Sequence, residues 1–212
     1  MRPLTWTAWC GVIATLALST GCSDEQSLSE KYPTQWKTCN ALFGTDNMKS
    51  LRDALDSDDL KFSGSAFSIA QIRNNLTREA TEPYNVNKGF EEYNACTLSG
   101  SGHFSATTRW ASDTLKAVQT YTERWHQAAT DVYVAEPSSV AGDVDLLFRC
   151  EIKGTDGQQP QVLLEARVSA PDPPRVTQDF HQKLAVELAR TLRDELACIN
   201  KPDIPNDLQL AE

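Results

Sequence analysis

The 212-residue chain carries 29 carboxylates against 20 lysines and arginines, for a net charge of −9. A surface of that sign repels phosphate backbones, which excludes nucleic-acid binding as a role. With 40% hydrophobic residues the chain can fill one substantial core or two small ones.

Residues 1–21 do not read as part of that core. Arg2 is followed by an uncharged stretch from Leu4 to Leu18 containing Trp6, Trp9, Val12, Ile13 and Leu16. A basic start, an apolar run of about 15 residues and small residues after it form a secretory signal, too short for a spanning helix. Leu18-Ser19-Thr20-Gly21-Cys22 closes the run and resembles the lipobox of bacterial lipoproteins. Ser19 departs from that pattern, which favours leucine there. The resemblance implies cleavage before Cys22 and attachment of acyl chains, palmitate among them, to that cysteine. The alternative is an ordinary secreted protein. Cys10 leaves with the signal.

Residues 22–35 are polar and aperiodic, which predicts a short tether. Trp36, Cys39, Leu42 and Phe43, closed by Gly44, predict a helical turn ended by glycine. Asn47 is placed to cap a helix with Met48, Leu51 and Leu55 on one face. Asp56-Ser57-Asp58-Asp59 lacks the glycine and spaced acids of a calcium loop and reads as solvated. A short strand is expected at 60–64. Ser68 and Gln71 form a capping box, with a helix to about Leu76 and Phe67 as its staple. Residues 78–90 read as a loop.

Period-two apolar residues on both sides of Ser99-Gly100-Ser101-Gly102 predict a hairpin over 93–110. Glycines immediately flanking Ser101 rule out a nucleophile elbow, whose glycines stand two residues away. Leu115, Val118, Tyr121 and Trp125 share a helical face and predict a helix over 113–128. Asp131–Ala135 reads as a strand. Residues 143–152 and 161–169 flank Gly154 and Gly157 as a second hairpin. Prolines at 171, 173 and 174 break the chain. The longest helix is expected at 177–198, with Phe180, Leu184, Leu188, Leu192 and Leu196 four residues apart. Residues 199–212 read as a polar tail.

The expected fold is α+β, with antiparallel hairpins packed against amphipathic helices and stapled by two disulfides. Cys39, Cys96, Cys150 and Cys198 form an even set in an exported chain, and four cysteines allow three pairings. Packing favours Cys39–Cys96, which fastens the first helix to its hairpin. It also favours Cys150–Cys198, which ties the last helix to the strand nearest in sequence. Within the domain at 36–198, strand, hairpin and helix recur in the two segments 36–130 and 131–198, which suggests two similar halves.

Chemistry is sparse. His103, His126 and His181 have no partner at i+4, and no cysteine pair has zinc or redox spacing. No phosphate loop is present, and no metal or organic cofactor is expected. Glu91-Glu92 would face opposite ways on a strand; Asp143 and Asp145 would share a face, as a charge pair at a strand's entry. The lipobox, the segments Cys39-Asn40-Ala41-Leu42-Phe43-Gly44 and Ala95-Cys96-Thr97-Leu98, and the cysteine ending the last helix resemble the small four-cysteine exported lipoproteins of actinobacteria. That resemblance implies a lipid-anchored domain on the extracytoplasmic face of the cell membrane, non-catalytic, binding a protein, a glycan or a small apolar ligand. The alternative is an envelope hydrolase without a recognisable motif.

Overall fold

The computed structural model describes residues 28–55, 60–63, 67–82, 90–135, 143–155, 161–169 and 176–208. Its centre is a seven-stranded antiparallel sheet in the order β1-β2-β3-β7-β6-β5-β4. The strands are β1 (Lys61–Phe62), β2 (Tyr93–Ser99), β3 (His103–Thr114), β4 (Trp125–Ala129), β5 (Val132–Ala135), β6 (Val144–Arg149) and β7 (Val162–Ser169). The helices are α1 (Leu28–Lys31), α2 (Pro33–Phe43), α3 (Thr45–Leu55), α4 (Ile69–Thr81), α5 (Leu115–Thr120) and α6 (Gln178–Glu195).

Alternation puts Phe104, Ala106 and Trp110 of β3, Leu164, Ala166 and Val168 of β7, and Val144, Leu146 and Phe148 of β6 into one core. Leu184, Leu188 and Leu192 of α6 close over them, with Ala185 and Ala189 beside, as four-residue spacing on a helix requires. Each large side chain so buried contributes about 1.5–3 kcal/mol. Directed hydrogen bonds fix where the helices sit. Trp110 Nε1 donates to Leu76 O at 2.9 Å and Tyr93 Oη donates to Glu79 at 2.8 Å, both tying α4 to the sheet. Thr191 Oγ1 donates to Leu42 O at 3.1 Å, joining α6 to α2. Burial and the Glu79 carboxylate together push the Tyr93 phenol above its ordinary pKa.

Local signals account for several boundaries. Ser68 and Gln71 form the reciprocal capping box of α4, and Thr177 caps α6. The Gly100-Ser101-Gly102 segment is a turn, and Ser101 spends its hydroxyl on Leu55 O at the end of α3. Gly44 takes φ +78 between α2 and α3. Asn47 is not the cap expected for α3, which starts at Thr45; its Nδ2 donates instead to Phe43 O at the end of α2.

The helix expected over 113–128 is a correction. It stops at Thr120, where the hydroxyl turns back onto Lys116 O, and Trp125 begins β4. Tyr121, expected on the buried face, is 63% exposed. The tether expected at 22–35 is folded from residue 28 onward, because Tyr32 and Trp36 both stand edge-on to Phe62 of β1. The tail at 199–208 also packs: Ile204 and Leu208 are buried, and Arg190 and Arg193 donate to Ile204 O and Pro202 O. Helix α4 runs beyond Leu76 to Thr81. Cys22 and its lipobox-like stretch, Asp56–Asp59 and the prolines at 171–174 lie outside the described residues.

From the centre, the strand order runs β3-β2-β1 to one edge and β7-β6-β5 toward the other. The segments 36–130 and 131–198 thus share one sheet through the β3–β7 pair, and β4 of the first segment also pairs with β5 of the second at the far edge. Their helices differ, since α6 covers the main core whereas α5 packs on the opposite side of the sheet.

Both disulfides join the cysteines that packing favours. Cys39–Cys96 fastens α2 to β2 across 57 residues, and Cys150–Cys198 fastens the end of β6 to the end of α6 across 48. The second is reinforced by Asn200, whose side chain bonds Arg149 O and Glu151 N. Closing loops of this length is worth roughly 4 kcal/mol each in the chain-entropy account. All four cysteines are 2% exposed or less. Thiol reagents should therefore leave the native protein oxidised and reduce it only as denaturant opens it. The Cys150→Ser/Cys198→Ser variant should lower the urea midpoint with little change in secondary structure; an unchanged midpoint would show that the bond contributes nothing.

Candidate functional site

The second face of the sheet is built by the alternate residues of the same strands. At one end Ala111, Trp125, Tyr133, Leu147 and Leu163 form a small apolar cluster covered by Val118 of α5. Beyond it the face turns polar, and charged residues replace the apolar ones.

The polar part is a cross-strand ladder of ion pairs. Arg109 of β3 and Glu165 of β7 are register partners, and the guanidinium grips the carboxylate through Nε at 2.9 Å and Nη2 at 3.3 Å. Arg167 is opposite Asp145 of β6, with its Nε 3.1 Å from Oδ1, too poorly aligned for a hydrogen bond. Arg167 Nη2 also donates to Asp143 at 3.3 Å, and Ser169 Oγ donates to the same carboxylate at 2.6 Å. Asp143 and Asp145 thus share a face, as the sequence implies, but their common partner Arg167 comes from a strand more than twenty residues away.

The hydrogen bond from Arg109 to Glu165 raises the guanidinium's pKa further. Burial pushes the Asp145 carboxyl above the usual carboxylate range, and Arg167 pulls against it. For Arg167 burial opposes the charge, yet Asp145 and Asp143 outweigh it.

Where this ladder meets the apolar cluster lies a hollow of about 50 Å³, bordered by Arg109, Asp113, Arg124, Trp125, Asp145 and Glu165. Small-molecule sites run to about 300–1,000 Å³, so this hollow has room for water and little else. Arg124 stands at its rim, with its guanidinium 5.2 Å from the Trp125 ring centre and 3.7 Å from Asp113. A general acid or base must be free to exchange a proton with substrate. Here Glu165 and Asp145 are each committed to an arginine.

The histidines stay apart. His103 Nδ1 is 3.0 Å from Ser99 Oγ in the first hairpin, and His126 is half-buried on β4. His181 is 2% exposed in the first turn of α6, and neither ring nitrogen has a hydrogen-bond partner. Burial pushes its imidazole pKa down, against the pull of the Asp143 carboxylate. Glu91 and Glu92 are exposed just before β2. Among the described residues no three His, Cys, Asp or Glu converge on a metal position. A second, open depression of about 650 Å³ lies past the end of α6, lined by Arg193, Asp194, Ala197, Cys198, Ile199 and Lys201. Ile199 is 58% exposed there.

Comparison of the chain with family models, with curated proteins and with solved structures gave no match.

Two outcomes follow from these side chains. Exposure of the Arg109 side chain, 35% against 8% for Glu165, weakens what would otherwise be a dry pair. A double-mutant cycle on Arg109→Leu and Glu165→Leu should give a coupling of about 1 kcal/mol in favour of the pair. A coupling of zero would make the ladder ornamental to stability. For His181, the unfolded chain takes up a proton near pH 6.5, whereas the buried imidazole resists until lower pH. Titration of this residue therefore leaves native stability unchanged above that value and lowers it as pH falls below it. Thermal melts of the wild type minus those of His181→Leu should show that loss between neutral pH and mild acid; parallel curves would contradict it.

Proposed function

We propose that the chain is an exported lipoprotein, held on the extracytoplasmic face of a membrane through lipid on Cys22, whose folded domain binds a partner rather than catalysing a reaction. The observation that carries the proposal is the pair of buried disulfides, which persist in oxidising compartments outside the cytoplasm. Export is also what the uncharged run before Cys22 supplies.

The binding part rests on the open polar sheet face. Its charges are already mutually paired, which suits a flat contact in which a polar partner exchanges hydrogen bonds at the rim. On that face a protein or a glycan fits the chemistry better than a small apolar ligand, for which its hollow of about 50 Å³ is too small. Arg124 and Tyr121 are exposed beside it and offer a cation and a ring for such a contact.

Asp145 favours the hydrolase reading in one respect, since burial raises its pKa as a general acid requires. Its arginine partner and the small hollow weigh against that use.

Mass analysis of the mature protein tests the anchor. The expected product starts at Cys22 and carries acyl chains, each methylene contributing about 0.8 kcal/mol to membrane retention. Cys22→Ala should shift the protein from the membrane fraction to the soluble one, or stall its processing. An unmodified N-terminus downstream of Cys22 would leave plain secretion in place of anchoring.

A further inference from the structure

The two disulfides join the four cysteines of the domain in the order in which they occur, first with second and third with fourth. Their loops span 57 and 48 residues and neither overlap nor nest, so each can close without the other. Loop length does not select this pairing. Cys96 and Cys150 lie 54 positions apart, between the two native separations. Closure falls as roughly the 3/2 power of length, so these three bonds differ by less than about a third in ease of closing.

The packed fold offers no route for a protein oxidant to make the choice. All four cysteines belong to the main core and are 2% exposed or less. Thiol–disulfide exchange passes through a mixed disulfide, which needs an accessible thiolate. Oxidation by another protein therefore comes before the core closes. At that stage the order of emergence separates the native bond from its rival. A chain exported N-terminus first presents Cys39 and Cys96 while Cys150 is still behind the membrane.

We infer that this chain is a substrate of a thiol–disulfide oxidase during export, with Cys39–Cys96 closed before Cys150 emerges and Cys150–Cys198 closed after it. No disulfide isomerase is then required. For each bond, one thiolate of the chain attacks the disulfide of the oxidase, and the second thiolate displaces the oxidase. Two protons and two electrons pass to the oxidase in sum, and its disulfide becomes a dithiol. The inference rests on the export proposed above. Cys22, 17 positions before Cys39, would compete for it as a free thiol, and the proposed lipid removes that competitor.

Export of the full chain in three bacterial strains tests this: a parent, one lacking its disulfide isomerase and one lacking its thiol oxidase. Thiols are alkylated at harvest, and peptides are mapped without reduction. Both native bonds should form in the parent and, within about twofold of that yield, in the strain without isomerase. Without the oxidase the yield should fall by about tenfold or more. The reduced chain should behave differently when all its thiols meet the purified oxidase at once, on dilution from urea. There Cys96–Cys150 should appear in amounts comparable to the native bonds. A larger loss without isomerase, an undiminished yield without oxidase, or native bonds alone after dilution from urea would each overturn the inference. Fractionation separates these failures from that of the export reading. Protein that is exported but mispaired leaves export standing, whereas protein retained in the cytoplasm overturns both.

Discussion

Pairing of β3 with β7 is the constraint on which the rest of the structure depends. It joins residues such as Arg109 and Glu165, 56 positions apart, at the centre of the sheet. Every other strand is added outward from that pair, and α6 can bury its apolar face only because β6 and β7 are already side by side. Such non-local pairing closes large loops before any contact compensates the lost chain entropy. The two disulfides oppose that cost by shortening the loops of the unfolded chain, one on each side of the centre.

The same pair explains why the second face is polar. Covering one face with helices is sufficient to bury Phe104, Trp110, Phe148 and Leu164. Among the described residues the other face receives α5, a single short helix, which shelters the cluster around Trp125, Tyr133 and Leu147. Past its reach, opposed charges occupy the register positions that apolar residues would otherwise fill, and each arginine meets its carboxylate on the neighbouring strand. Antiparallel sheets tolerate one wet face for this reason.

His181 stands outside this economy of paired charges. It is buried in the first turn of α6 with both nitrogens unpartnered, close enough to Asp143 to feel that carboxylate's charge. Burial of an unsatisfied imidazole costs free energy that an ordinary core avoids. The residue therefore makes the junction of α6 with the sheet sensitive to acid, whatever the domain binds.

What the sequence by itself determined was local. The capping box at Ser68, the turn at Gly100–Gly102, the leucine ladder of α6 and the period-two strands all depend on neighbours within a few residues, and each is present in the structure. Of the three disulfide pairings the sequence allows, the one that packing favours is present, each bond tying a helix to a strand near it. Tertiary structure alone decided the fate of Trp125: helical spacing put it on the face of Leu115 and Val118, but the helix ends at Thr120 and pairing with β5 makes Trp125–Ala129 a strand. It likewise decided that Ile204 and Leu208 pack rather than trail, since their apolar partners come from elsewhere in the chain. The Arg109–Glu165–Arg167–Asp145 ladder was invisible in sequence for the same physical reason. Its members lie on three strands, with Glu165 and Arg167 together on β7, and only the register of the assembled sheet brings Arg109 and Asp145 within their reach.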